Sequence, residues 1–370
     1  MNHKFLYFFA FFYNENEEHL ICALDKLNAQ NYSSRIQVIV IDDGSTNHAI
    51  TGVKEWIANT KVNHEFQVVE RVVNGGRKGF ALDHVLELGV ATGDVYVVVD
   101  SDTYIDPNGI YELVTKLWSD EKKYAAVCGY ITPDNHKESF IGKLQHYEHI
   151  SFFYGAIRAA QDKLGYVPVL AGAFVAHRAS AVKKKLGGWS EWLVEDIAWC
   201  WKAISNGYRT GYAPKAKATT QCPTDAKGLF NQRRRWARGR VEAYTEAWKA
   251  NWVAGLCASP WFLLTAAQYI FPSSIIFIWI YGFDGNLGSN RNRCCEYHNL
   301  LFLLVQSYIN DFDLSSDLSN KQVLKAPIYS LLLETITWLP NLLGYSDEIL
   351  GKKKRLVNKV VSMSAVLFLL

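Results

Sequence analysis

The chain has 370 residues, long for one domain, so one folded domain plus an appended element is the starting expectation. Its formal net charge of +3 is too small to argue for a nucleic-acid partner. What informs is where the basic residues cluster, at Lys183–Lys185, Arg233–Arg240 and Lys352–Arg355.

In chain order, Phe5–Phe12, Ile36–Ile41, Gln67–Val72 and Val95–Val99 are short runs rich in β-branched and aromatic residues. Runs without alternation predict strands buried on both faces. The first is read as a buried strand and not a signal peptide, because it is short and leads into polar Asn14-Glu15-Asn16-Glu17. Glu17–Ala29, Ala49–Asn59 and Phe80–Ala91 carry helical apolar spacing between the strands, giving a βαβαβαβ order and an α/β fold with a mostly parallel central sheet. Parallel sheets gather ligand-binding residues at the carboxyl ends of their strands. Asp42-Asp43 and Asp100-Ser101-Asp102 both fall there, so the two acidic elements are expected to meet at one sheet edge.

Asp100 and Asp102 follow five apolar residues and offer alternate carboxylates from a strand end. Such hard oxygen ligands suit Mg²⁺ or Mn²⁺ shared with phosphates, although an ordinary turn also carries this pattern. Asp42-Asp43-Gly44-Ser45 reads either as a helix cap or as acceptors for a uracil N–H and ribose hydroxyls. In Asn74-Gly75-Gly76-Arg77-Lys78-Gly79 the glycines allow close backbone approach to a diphosphate, and Lys78 is the cation expected near it. Glu195-Asp196 opens a helix-like stretch reaching Asn206-Gly207. An acidic pair there serves the helix dipole, or makes Asp196 a general base, with Trp189 and Trp192 as walls for an acceptor. Gln232, Arg235 and Trp236 stand at i, i+3 and i+4 and share one helix face, which can present an amide, a guanidinium and an indole. Arg233, Arg234, Arg238 and Arg240 also fit a basic helix at a membrane surface. Aromatics at 14% suit sugar stacking, a membrane interface or packing. The 7 cysteines are scattered without a CxxC pair and read as reduced thiols.

In this order, Asp42-Asp43-Gly44-Ser45, Asp100-Ser101-Asp102, Glu195-Asp196 and Gln232-Arg233-Arg234-Arg235-Trp236 resemble the membrane-bound, often processive family 2 glycosyltransferases. That group includes cellulose, chitin, hyaluronan and poly-N-acetylglucosamine synthases. The resemblance runs from about Phe5 to Gly239 and implies a GT-A fold, a UDP-sugar donor, Mg²⁺ or Mn²⁺ and inversion at the anomeric carbon. It implies nucleotide-sugar binding by Asn14, Glu15, Asp42, Asp43, Lys78, Asp100 and Arg235, and metal binding by Asp100 and Asp102. Asp196 matches the catalytic base, with Glu195 beside it, and Gly172, Trp189, Gln232 and Trp236 match the acceptor side. Ala171-Gly172-Ala173-Phe174, Gly187-Gly188-Trp189 and Asn206-Gly207-Tyr208-Arg209 also fit, nearest to the poly-N-acetylglucosamine synthases. Phe12 stands where the family often has Pro before Tyr-Asn-Glu.

The catalytic domain is therefore placed at 1–245 and a membrane-associated helical region at 246–370. Cys257–Tyr281 is uncharged and long enough to span a bilayer, though Pro260 and Pro272 would kink it. Ala326–Tyr345 is a second candidate span, weakened by Glu334 and two prolines. The flanking basic clusters suit a hairpin with the catalytic domain on the cytoplasmic face. Asn299–Ile309 and Val360–Leu370 are too short to span, and Ile141–Ala160 and Leu229–Trp252 read as surface-lying amphipathic helices or as domain packing. The leading expectation is transfer from UDP-N-acetylglucosamine, then UDP-glucose, to a growing polysaccharide. The alternatives are one sugar placed on a lipid acceptor, or an inactive synthase acting as a scaffold.

Overall fold

The computed structural model describes residues 6–91, 93–119, 124–150, 157–189, 192–270 and 320–351. The short apolar segments 299–309 and 360–370 and the basic cluster 352–355 lie outside them, as does 271–281 of the first candidate span.

The β-branched and aromatic runs form β1 (Leu6–Phe12), β2 (Gln37–Asp42), β3 (Glu65–Glu70) and β4 (Val95–Asp100), all mutually parallel in the order β3-β2-β1-β4. Phe12 pairs with Asp42 and Phe11 with Asp100, so both acidic elements leave the sheet at one edge, as the strand ends predict. Val38, Val40, Val97 and Val99 pack into one core with Leu20, Leu24 and Leu113, from α1 (Glu17–Asn28) and α4 (Gly109–Trp118). Ile39, Ile41, Tyr96 and Val98 turn to the other face, against Leu82 and Val85 of α3 (Lys78–Glu87) and Trp199 of the later helix α8 (Glu195–Ser205). Each fully buried aliphatic side chain contributes roughly 1.5–3 kcal/mol, and burial on both faces is why β2 and β4 do not alternate. Helix α2 (Ala49–Asn59) completes the first layer beside α1.

Two expectations are corrected. β3 ends at Glu70 instead of Val72, and Val72 and Val73 are 97% and 72% exposed, because Asp43 pulls Arg71 and Gly75 onto itself and turns the chain off the sheet. The sheet is mixed, not mostly parallel. It continues from β4 through β7 (Phe174–Arg178), β6 (Tyr124–Pro133) and β8 (Arg209–Thr220) to β5 (Thr103–Ile105). β7 is antiparallel to both β4 and β6. Its entry therefore lies at the carboxyl end of β4, and Asp100 donates its amide to Ala173 O at 3.2 Å there. This reversal brings the 171–173 segment to the acidic edge.

Helices α5 (Phe140–Ile150), α6 (Ile157–Leu164) and the three-residue α7 (Ala179–Ala181) precede α8. After β8 come α9 (Ala226–Ala250), α10 (Trp252–Ile270) and α11 (Asn320–Ile349). Asp225 caps α9, its side chain accepting from Lys227 N and Gly228 N. Among the described residues, no helix is long and apolar enough to cross a membrane. The candidate span Ala326–Tyr345 lies inside α11, where Leu333, Thr337, Asn341 and Tyr345 are buried. Leu333 packs with Leu144 of α5 and Leu229 of α9, and Tyr345 with Ala237 and Val241. A span needs apolar residues all round, whereas this helix mixes polar and charged positions and spends one side on the domain.

Candidate active site

The glycine-rich turn after β3 fixes where Lys78 sits. Arg77 is the extended N-cap of α3, and Lys78 opens its first turn and reaches across the edge of β4. Its ammonium donates to Asp100 Oδ1 and to Gly172 O at 3.0 Å, and lies 3.6 Å from Glu195 Oε1. Burial works to lower this ammonium's pKa, but Asp100 and Glu195 outweigh it and push it up to about 12. Gly172 also donates its amide to Asp196 Oδ2 at 3.0 Å, and Ile197 N donates to Asp196 Oδ1 at 2.7 Å. One glycine thus touches both the cation and the carboxylate. Burial, then the charge of Glu195, raises the Asp196 carboxyl to about 7. A carboxyl poised there can take and return a proton near neutrality. Behind it lies a cavity of ≈ 10 Å³, bounded by Leu170, His177 and Trp189, at the lower limit for one water.

Asp102 follows Asp100 by two residues, immediately before β5. Burial, Asp100 and Glu15 raise its carboxyl to about 7, while Thr220 Oγ1 donates to Asp102 Oδ1 at 3.2 Å. Ser101 Oγ donates to Glu15 Oε2 at 2.9 Å, so Glu15 stands over the Asp-Ser-Asp turn. Asn14, at φ 50°, accepts from Thr46 N at 2.7 Å and donates its amide to Ser45 Oγ at 2.9 Å, holding the turn after β2. Asp42 accepts from Ser45 N at 2.9 Å. Gly44 has φ +74°, and a Cβ there would meet Asn74 N at 2.8 Å, so the two loops touch only because the residue is glycine.

Residues 96–287 match the family described as glycosyl transferase family group 2. The chain belongs to that family. It is 33% identical to a poly-beta-1,6-N-acetyl-D-glucosamine synthase of Staphylococcus aureus over 231 residues, 62% of this chain and 53% of the relative. The synthase of the same name from Staphylococcus epidermidis is 32% identical over the same shares. The chain thus spans about half the length of the curated relatives it matches. Among solved structures, a mannosyltransferase from Pyrobaculum calidifontis in complex with GDP-Man and Mn2+ aligns with TM-score 0.60 at 18% identity. The alignment covers 95% of this chain and 88% of that one. This likeness is one of fold, and it identifies the mixed sheet with its helices as GT-A-like.

In this family 2 chain, the structure gathers Glu15, Lys78, Asp100, Asp102, Gly172, Glu195 and Asp196 at one edge. Other expected site residues point elsewhere. Asp43 is 1% exposed and spends both oxygens inward, on the Arg71 guanidinium and the Gly75 amide, so it organises the glycine-rich loop instead of facing a ligand. Trp189 is not an acceptor wall: it is 1% exposed, and its indole N–H donates to His177 Nε2 at 3.3 Å, inside the core. Trp192 is likewise buried.

Gln232, Arg235 and Trp236 do lie on one helix, with Arg235 exposed and the Trp236 ring 4.6 Å from the Arg233 guanidinium. Gln232 Oε1 is buried with no hydrogen-bond partner among the described residues. Three of the four arginines expected at lipid headgroups pair within the chain. Arg233 is bidentate to Glu148 at 2.8 and 2.5 Å, Arg234 pairs with Asp347 at 2.5 Å, and Arg238 with Glu348 at 3.0 Å. Arg71 and Glu242, which pairs with Arg77 and accepts from Leu193 N, lie outside every sequence motif. Arg71 has no local signal, but Glu242 stands at i+7 from Arg235, two turns along one face.

Proposed function

We propose that this chain is an inverting, metal-dependent transferase that moves a hexose from a UDP-sugar to a growing polysaccharide, with UDP-N-acetylglucosamine favoured and UDP-glucose next. The observation that carries the reading is the Lys78, Gly172 and Asp196 arrangement, a buried cation beside a carboxyl tuned to neutrality. Asp196 takes the proton of an acceptor hydroxyl, whose oxygen forms the new bond to the anomeric carbon. The bond from that carbon to the diphosphate oxygen breaks on the opposite side, and UDP leaves with the electron pair. Lys78 offsets the charge left on the diphosphate, and Arg235, exposed on α9, is available as a second cation. Asp42 and Asn14 shape the nucleoside end through the turn they hold.

Asp100, Asp102 and Glu15 crowd hard carboxylate oxygens together at the end of β4. That fits Mg²⁺ or Mn²⁺ held by Asp100 and Asp102 and shared with phosphates. The ion, when bound, neutralises the diphosphate. The polysaccharide acceptor and the sugar rest on the similarity to the two staphylococcal synthases.

Contact with a membrane, on its cytoplasmic face, is part of the same proposal. Leu256, Leu263 and Leu264 of α10 and Ile328, Leu332, Ile336 and Leu339 of α11 are exposed at helical spacing, suiting helices that lie against lipid. The test is UDP release across a panel of UDP-sugars with Mg²⁺ or Mn²⁺, with products sized by mass spectrometry. A polymer ladder from one donor supports the reading. A single added sugar moves the acceptor to a lipid, and no release with any donor refutes it.

A further inference from the structure

We propose that Glu242 is a positioning residue for sugar transfer, a clamp on α9 that fixes the two helix starts carrying Lys78 and the Glu195-Asp196 pair. The inference rests on the proposed roles of those residues and adds a member outside every motif above. One Glu242 oxygen, Oε2, accepts from Leu193 N at 2.6 Å, and the other, Oε1, lies 3.4 Å from Arg77 Nη1. Arg77 directly precedes Lys78, and Leu193 lies two residues before Glu195.

Two further observations give the clamp its purpose. The N-caps of α3 and α8 are Arg77 and Val194, and neither makes a side-chain cap hydrogen bond. A helix start without a cap leaves orphan amides and frays readily. One carboxylate tethers both starts from outside. The α9 backbone also presses on the same spot: a Cβ at Gly239 would sit 2.1 Å from Val194 Cγ2. The ring closes where Lys78 Nζ approaches Glu195 Oε1 at 3.6 Å, so Glu242 governs the spacing of the proposed cation and base through the chain on both sides.

Glutamate suits the task because its two oxygens serve two donors on different elements. Glutamine keeps an acceptor for Leu193 and turns an amide N–H₂ toward Arg77, and alanine loses both. The pair is largely shielded, with side-chain exposures of 24% for Arg77 and 21% for Glu242, and burial raises the Glu242 carboxyl above its ordinary value.

The experiment compares wild type, E242A, E242Q and R77M by steady-state kinetics and by hydrogen exchange of the segment around Leu193. In E242A, kcat is expected to fall by about 10–100-fold while KM for the donor stays within about threefold. Exchange at Leu193 is expected to rise about tenfold or more, with β1–β4 unchanged. E242Q and R77M fall between wild type and E242A. Wild-type exchange at Leu193 in E242A, or wild-type kcat in that variant, overturns the clamp. If E242A does not fold, E242Q and R77M decide: wild-type kcat in both overturns it, and reduced kcat at steady KM supports it. A wild-type protein that turns over no donor refutes the proposed function, while the exchange measurement still judges the clamp.

Discussion

The amide of Gly172 donates to Asp196 Oδ2 at 3.0 Å, and a Cβ on Gly172 would sit 2.8 Å from that same oxygen. The carboxylate is thus seated on the backbone of a residue 24 positions away, in a gap that only glycine leaves. Gly172→Ala is expected to displace the carboxylate and lower kcat by about 10²-fold while leaving nucleotide affinity nearly unchanged. Steady-state kinetics beside UDP titration calorimetry checks this, and parallel loss of both would contradict it.

Lys78 is placed to meet the diphosphate, so Lys78→Met is expected to weaken UDP binding by roughly tenfold or more, the size of a lost charge-assisted hydrogen bond. It also removes the countercharge between Asp100 and Glu195, which then repel. Calorimetry at two ionic strengths reads the first effect, and a melting curve the second. Unaltered UDP affinity would remove Lys78 from the donor site.

The Asp196 carboxyl titrates near 7 in the folded chain against an ordinary 3.8, chiefly because it is buried. As the proposed base it must be ionised, so kcat is expected to rise with pH through about 7. Stability runs the other way. Between the unfolded and folded values the folded state binds the extra proton, so this group's contribution is fully present below about 4 and lost as pH climbs toward 7. Asp196→Asn removes that loss. The melting temperature of the variant relative to wild type is expected to increase from pH 5 to pH 8, and a constant difference would show that the group titrates normally.

Trp189 offers a test of position against motif. Its ring is buried between Tyr96 and His177, so Trp189→Ala is expected to destabilise the fold by about 3–5 kcal/mol, as for a large core cavity. Chemical denaturation measures this. A stable variant with only a raised acceptor KM would return Trp189 to the acceptor site.

The first half of the sheet was legible because β1, β2 and β4 are nearly continuous apolar runs, and the polar ends of β2 and β4 place Asp42 and Asp100 unaided. The antiparallel β7 was not. Phe174–Arg178 is five residues long and contains His177 and Arg178, which read as polar. Both are buried through distant partners, Arg178 Nε donating to Tyr124 O at 2.9 Å and His177 lying against Trp189 and Trp199. Arg71 escaped for the same reason, since its partner Asp43 is 28 residues away. Lys78, Asp100, Asp102 and Asp196 were legible as residue types in motifs. Their shared contact through Gly172 depends on the strand reversal and had no local sign.

The most direct measurement compares UDP-sugar turnover and UDP affinity in wild type and Asp196→Asn. With Asp196 as the base, wild type is expected to form product, the variant to lose about 10²–10⁴-fold or more in turnover, and UDP affinity to stay within about twofold. Normal turnover by Asp196→Asn would contradict that role.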